Sequence, residues 1–241
     1  MDEGKGDSLP SLLVEVRVRK SLYAQGPSER FSRVPGGPCL NLVRGAPMRM
    51  VDADCSRVEG ALQAGELACP VCFQPLSPWG WGRRRCLRTH EGLLSTKPRR
   101  SICYACVKTH ILLPTVALLR RFDVAEAIGE ALALKAAGWG HRRIAAGFGI
   151  PSTAVRDWLR RFALRAEAIR VHFTALAYLI DSSLGTIEPR GSPQGDAVEA
   201  MVVAADCTAR RFGPVPLWRF VSGASGGRLL SNTSSPFPAL Q

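Results

Sequence analysis

The sequence predicts a mainly α-helical protein with a small β zinc ribbon, the ribbon being followed by a helix-turn-helix bundle and further C-terminal helices. Three observations lead there. Two Cys-x-x-Cys pairs, Cys69-Pro-Val-Cys72 and Cys103-Tyr-Ala-Cys106, stand thirty residues apart. The stretch from Asp123 to Leu164 reads as three helices divided by glycine-containing turns. The net charge of +12 is gathered on and beside these two segments.

The chain has 241 residues, 46% of them hydrophobic, enough for one large domain or two small ones. No apolar run reaches the roughly 18 residues of a spanning helix, so a membrane protein is not expected. Met1-Asp2-Glu3 is acidic where a secretory signal would be basic. The expectation is a cytoplasmic, nucleoid-associated protein with reduced thiols.

Charge placement sharpens the expected partner. Residues 1–82 carry nine basic and nine acidic side chains, and residues 171–241 carry five of each. Residues 83–121 hold ten basic groups against Glu91 alone. Residues 141–170 hold seven arginines against Asp157 and Glu167. Two basic blocks beside a metal knuckle and a helical motif favour a polyanion, double-stranded DNA before RNA.

Residues 1–47 are expected to be a poorly ordered extension, broken by Pro10, Gly26-Pro27, Pro35-Gly36-Gly37-Pro38 and Pro47. Only Leu12–Arg19 alternates like a strand. Residues 48–116 are expected to hold the ribbon and its flank, with a short helix within 51–67. Four soft sulfurs on two tight turns suit a structural Zn²⁺, and thirty intervening residues allow a hairpin and a third strand. Cys69, Cys72, Cys103 and Cys106 are therefore the candidate ligands. A redox CxxC is the competing reading of one pair, weakened by the presence of two. His90 and His110 each lie four residues past a cysteine and either could be a ligand, but they are read first as surface histidines or as neighbours of the ligands, since four sulfurs already close a site. Cys86 is read as a spare thiol, and Cys39, Cys55 and Cys207 lack ligand spacing.

Residues 117–165 are expected to form the helix-turn-helix. Asp123 is the expected cap of a helix over 124–137, ended by Gly138-Trp139-Gly140. A second helix is expected over 141–148, then a Gly149-Ile150-Pro151 turn, then a third helix capped by Ser152 and running to about Leu164. Ala145 permits close helix approach, Gly149 supplies a left-handed residue, and Ile150, Val155, Trp158 and Leu159 form the packing face. The third helix would then enter the major groove. Arg156 and Arg160 would reach guanine edges, and Ser152 and Thr153 a phosphate or base. Asp157 would pair with an arginine or accept from cytosine. Arg142, Arg143 and Arg161 suit phosphates, as do Arg83, Arg84 and Arg85 on the ribbon.

Residues 166–230 are expected to be a helical region for packing or self-association, with helices over 171–184, 196–212 and 217–221. Gly223–Gly227 reads as a turn, and residues 231–241 as a mobile Ser- and Pro-rich tail. A two-fold-related homodimer is common for such motifs. Asp181, Glu188, Asp196, Glu199 and Asp206 read as ordinary helix and loop acids. No Walker loop or nucleophile elbow appears, so no catalytic residue is assigned and no enzyme is expected.

The runs CPVCFQPLSPWGWGRRR, RRSICYACVKTHILLP and GHRRIAAGFGIPSTAVRDWLRRF, with the closing SNTSSPFP, resemble a group of uncharacterised proteins from high-GC bacteria. That group combines a zinc ribbon with a helix-turn-helix and looks like the DNA-recognising part of insertion-element transposases. The resemblance covers about residues 50–241. It implies DNA binding without a named reaction, the four cysteines as metal ligands, and the Ser152–Phe162 helix as reader. Such ribbons usually place Gly after the first knuckle, where this chain has Phe73. A left-handed backbone there is costly for Phe and implies a distorted knuckle or weaker zinc. The expected function is a sequence-specific DNA-binding protein, a transcription regulator or transposition accessory. The alternatives are a compact transposase or recombinase, and a module docking on the transcription machinery.

Overall fold

The computed structural model describes residues 48–231. The expected extension with its Leu12–Arg19 strand, Cys39, and the tail from 232 onward lie outside the described residues. The first half holds β1 (Met48–Val51), α1 (Cys55–Gln63), β2 (Ser77–Trp81), β3 (Arg85–Arg88), β4 (Leu93–Thr96), β5 (Arg99–Cys103) and β6 (Lys108–Pro114). The second half is helical: α2 (Ala125–Ala136), α3 (His141–Phe148), α4 (Ser152–Ala163), α5 (Ala166–Ile180), α6 (Pro193–Phe212) and α7 (Leu217–Ala224).

Four strands form one mixed sheet in the order β1-β6-β5-β2. β5 pairs antiparallel with both neighbours, while β1 runs parallel to β6 with Met48 opposite Ile111. β3 and β4 form a separate hairpin. The short helix expected within 51–67 is α1, and Val51 belongs to β1 instead. Asp54 caps α1, its carboxylate accepting the Ser56 N–H at 2.9 Å. Val58 and Leu62 of α1 join Val51, Leu67, Leu76 and Leu112 in a small core around Cys69 and Cys103.

The larger core lies among the helices. Ile128 and Leu132, Ile144, Phe162, Ile169, Phe173 and Leu176, and Met201 are all fully buried. They come from α2, α3, α4, α5 and α6 respectively. Gly129 of α2 lies under the Trp218 ring of α7, where a Cβ would sit 1.9 Å from Trp218 Cδ2. A glycine is required there for the indole to approach the helix.

Several element ends differ from expectation, each for a local reason. Asp123 does not cap α2, because its buried carboxylate accepts from Arg88 Nε at 2.7 Å; Val124 takes the cap position instead. Ser152 does not cap α4, because Pro151 occupies that position and makes Ser152 the first helical residue. α5 starts at Ala166 rather than 171, with Ile169 buried inward and an Arg170–Glu167 pair at 2.6 Å outward. α6 starts at Pro193 behind Ser192, whose hydroxyl accepts the Gly195 N–H at 3.1 Å. The expected 223–227 turn begins as the last residues of α7 and becomes left-handed at Gly226 and Gly227.

The β3–β4 hairpin ties the halves together. Arg88 N–H donates to the Phe122 carbonyl at 2.6 Å, and Val124 N–H donates to the Arg88 carbonyl at 3.0 Å. His90 meets Glu130 of α2 at 3.0 Å and Phe148, the last residue of α3, edge-on at 4.6 Å. Beneath this seam, Leu87 and Leu113 pack with Val116, Ala117, Val124 and Ala127.

Candidate metal centre and basic helix face

The two Cys-x-x-Cys turns meet at the end of the sheet. The sulfurs of Cys69, Cys72, Cys103 and Cys106 lie within 4.8 Å of one another, the one such group of metal-binding side chains among the described residues. Cys69 and Cys106 are 3.7 Å apart at Sγ, and Cys72 and Cys103 are 3.3 Å apart. A disulfide would need about 2.05 Å, so these are free thiols. Four bonds of about 2.3 Å to a tetrahedral ion would set the sulfurs about 3.8 Å apart. The group fits a metal ion.

Both turns use the same backbone device. The residue after the second cysteine is left-handed in each, Phe73 at φ 63° and Val107 at φ 55°. That conformation aims amide N–H groups at sulfur: Gln74 toward Cys72 and Lys108 toward Cys106. Val71 N–H reaches Cys69 Sγ at 3.4 Å, and the Ala105 and Cys106 amides reach Cys103. Each non-glycine residue held this way costs roughly 1–2 kcal/mol, and such strain persists where the surroundings impose it. The sequence pointed to Phe73. Val107 was equally legible, since it holds the same place after the second pair.

The sulfurs do not titrate alike. Burial raises the Cys103 thiol, but the amides of Cys106 and Ala105 and the neighbouring thiols outweigh it and bring it down to about 7. Burial and three sulfur neighbours push Cys106 up to about 12. At Cys72 the Gln74 amide pulls down, yet the Cys103 thiol and burial win and the shift is upward. A cluster that holds back its own full ionisation is one that a dication would complete.

The other sulfur and imidazole groups separate clearly. His110 is 1% exposed, with Nε2 3.4 Å from Cys69 Sγ, beside the four-sulfur group rather than in it. His90 sits on the hairpin against Glu130. Cys86 and Cys55 are exposed, and Cys207 is buried in α6.

The second feature is α4. Val155, Trp158, Leu159 and Phe162 are buried, while Ser152, Thr153, Arg156 and Arg160 are exposed on the opposite side. The turn from α3 is made by Gly149 at φ 62°, as its place in the sequence requires. Asp157 is engaged within its own helix: Arg161 Nε donates to it at 2.7 Å, and Arg160 lies 3.8 Å away. The Arg161 hydrogen bond, aided by the charges of Arg161, Arg121 and Arg160, holds the Asp157 carboxyl below its usual range. Arg161 is correspondingly drawn in, its side chain 22% exposed. Arg142 and Arg143 are exposed on α3, and Arg143 stacks over Trp139 at 3.9 Å. Arg83, Arg84 and Arg85 are exposed at the start of the hairpin.

Three of the acids of the C-terminal half are locally occupied. Asp181 accepts from Ser183 and Arg210, Glu199 pairs with Arg190 at 2.9 Å, and Asp196 accepts the Arg190 amide. No helix among the described residues is long and apolar enough to cross a membrane. No family model, curated protein or solved structure matches the chain.

Proposed function

We propose that the protein binds double-stranded DNA, with α3, the Gly149 turn and α4 acting as a helix-turn-helix and the cysteines holding one structural Zn²⁺ in a zinc ribbon. The observation that carries this reading is the two-sided character of α4. Its apolar face is fixed in the core, and Arg156, Arg160, Ser152 and Thr153 project from a rigid support. A helix of about 12 Å diameter with arginines outward suits the major groove.

The roles follow from geometry. Arg156 and Arg160 read base edges, and Ser152 and Thr153 meet phosphate at the helix N-terminus. Arg142 and Arg143, with Arg83–Arg85, neutralise backbone phosphates. Asp157 is spent on Arg161 and orders that side of the helix, so cytosine is not part of its role here. Four thiolates are the donor set zinc prefers. When bound, the ion cross-links the two turns and so fixes the ends of the intervening hairpin. The reading is one of binding and positioning, with no bond made or broken.

The test joins two measurements on the purified chain: metal content, and selection of bound duplexes from a random pool at about 50 mM salt. One zinc per chain and an enriched motif are expected. Metal-free protein that ignores duplex DNA overturns the proposal. Strand nicking with Mg²⁺ or Mn²⁺ would replace it with the compact transposase.

A further inference from the structure

We infer that His110 is a positioning residue of the metal centre, its Nε2–H donating to the Cys69 thiolate and holding that ligand in place; this rests on the metal reading above. The geometry is specific. His110 belongs to the inward row of β6 with Leu112, while Thr109 and Ile111 face out. An apolar side chain would be the ordinary occupant of that position, because burying an imidazole without a partner is costly. Here the partner is sulfur, with Nε2 at 3.4 Å from Cys69 Sγ.

The need for such a donor follows from charge. Four thiolates around a dication leave a net charge of −2 in a site where two of the sulfurs, Cys69 and Cys103, are 0% exposed. N–H groups directed at sulfur are what offsets that charge away from water. Cys103 receives the amides of Ala105 and Cys106. Cys69 receives the Val71 amide and, from the sheet side, the imidazole.

One further residue supports the arrangement. Arg49 of β1, 4% exposed, donates to the carbonyl of Ala68, the residue before Cys69. It brings a positive charge to the same buried side.

The experiment separates donor from filler. His110→Gln keeps an N–H donor, and His110→Leu keeps volume without one. Zinc affinity, measured by competition with a chromophoric chelator, should fall about 10- to 100-fold for Leu, the range for lost outer-shell partners. It should largely be retained for Gln. Equal affinities for the two variants overturn the inference. Co²⁺-loaded wild type and Gln variant should share one tetrathiolate spectrum, and a change in ligand field on substitution would make His110 a ligand and overturn it too. Should the Leu variant fail to fold, wild-type protein loaded with ¹¹³Cd²⁺ decides: scalar coupling from cadmium through sulfur to the His110 Nε2 proton is expected. Bound cadmium without that coupling overturns the inference alone, whereas wild type that takes up no metal overturns the metal reading and this inference together.

Discussion

Replacing Arg156 and Arg160 together by alanine tests the DNA reading most directly. Both side chains are exposed on α4, and the apolar face of that helix is untouched by the change. The helix pair α3–α4 presents four exposed arginines, Arg142, Arg143, Arg156 and Arg160, while Arg161 is held by Asp157 and is not counted. If each of these four, and each of Arg83, Arg84 and Arg85 on the hairpin, neutralises one phosphate, log K falls against log salt with a slope of about −6.3. Raising salt from about 50 to 200 mM then weakens binding roughly 6,000-fold. The double variant should show a slope of about −4.5 and a loss of about 500-fold over the same range. Should either arginine also grip a guanine, affinity for the selected motif drops by a further 1–3 kcal/mol or so, while random duplex is spared that loss. Fluorescence anisotropy with labelled duplexes across five salt concentrations provides the slopes. Arg219→Ala, whose side chain pairs with Glu126 on the α2–α7 side, is the control and should keep the wild-type slope. A double variant indistinguishable from wild type in both slope and affinity refutes the placement of α4 in the groove.

Other outcomes follow from particular contacts. Phe73→Gly and Val107→Gly should each relieve about 1 kcal/mol of left-handed strain, seen as a higher melting temperature of the metal-loaded protein; a lower one would contradict the strain argument. Gly129→Ala should destabilise by about 2 kcal/mol or more in urea unfolding, although alanine is the better helix former by about 1 kcal/mol, because the added carbon overlaps the Trp218 ring. Asp157 has a folded pKa below its unfolded value, so its stabilising effect is present above about pH 4 and lost as pH falls through the folded pKa. Asp157→Asn should remove that part of the acid limb of the stability profile, and a carboxyl NMR titration of wild type with a midpoint at or above 3.8 would contradict it.

The parts of the fold written in local signals were readable in advance. The bounds of α3 at His141 and Phe148 follow from the flanking Gly140 and Gly149, and the four cysteines come together as their spacing implies. Contacts between distant segments were not readable. β1 is four residues long, MRMV, and its partner β6 lies some sixty residues onward; nothing in those four residues specifies parallel pairing. Asp123 is an ordinary helix-capping residue by type, and only the arrival of Arg88 from the hairpin takes its carboxylate away. The same holds at the metal centre. His110 gains its neighbour because β6 brings it back under the first turn, a consequence of sheet order that spacing in the chain cannot express. Asp157 needed only the Arg161 four residues on to be recognised as engaged, a pairing the helix itself provides.

The hairpin that touches Glu130 and Phe148 leaves one cysteine turn and returns to the other. On the metal reading, both of its anchor points are therefore set by one ion. Stripping that ion loosens both turns at once and leaves the β2–β5 pairing and the Arg88 bonds to Phe122, Asp123 and Val124 to hold the excursion, so the brace on the end of α3 weakens even though no helical residue has been altered. Chelators are routine additives in electrophoretic and storage buffers for DNA work. On the DNA reading as well, a preparation handled in EDTA would look like one with a damaged reading head, and its apparent inactivity would be a property of the buffer rather than of the arginines.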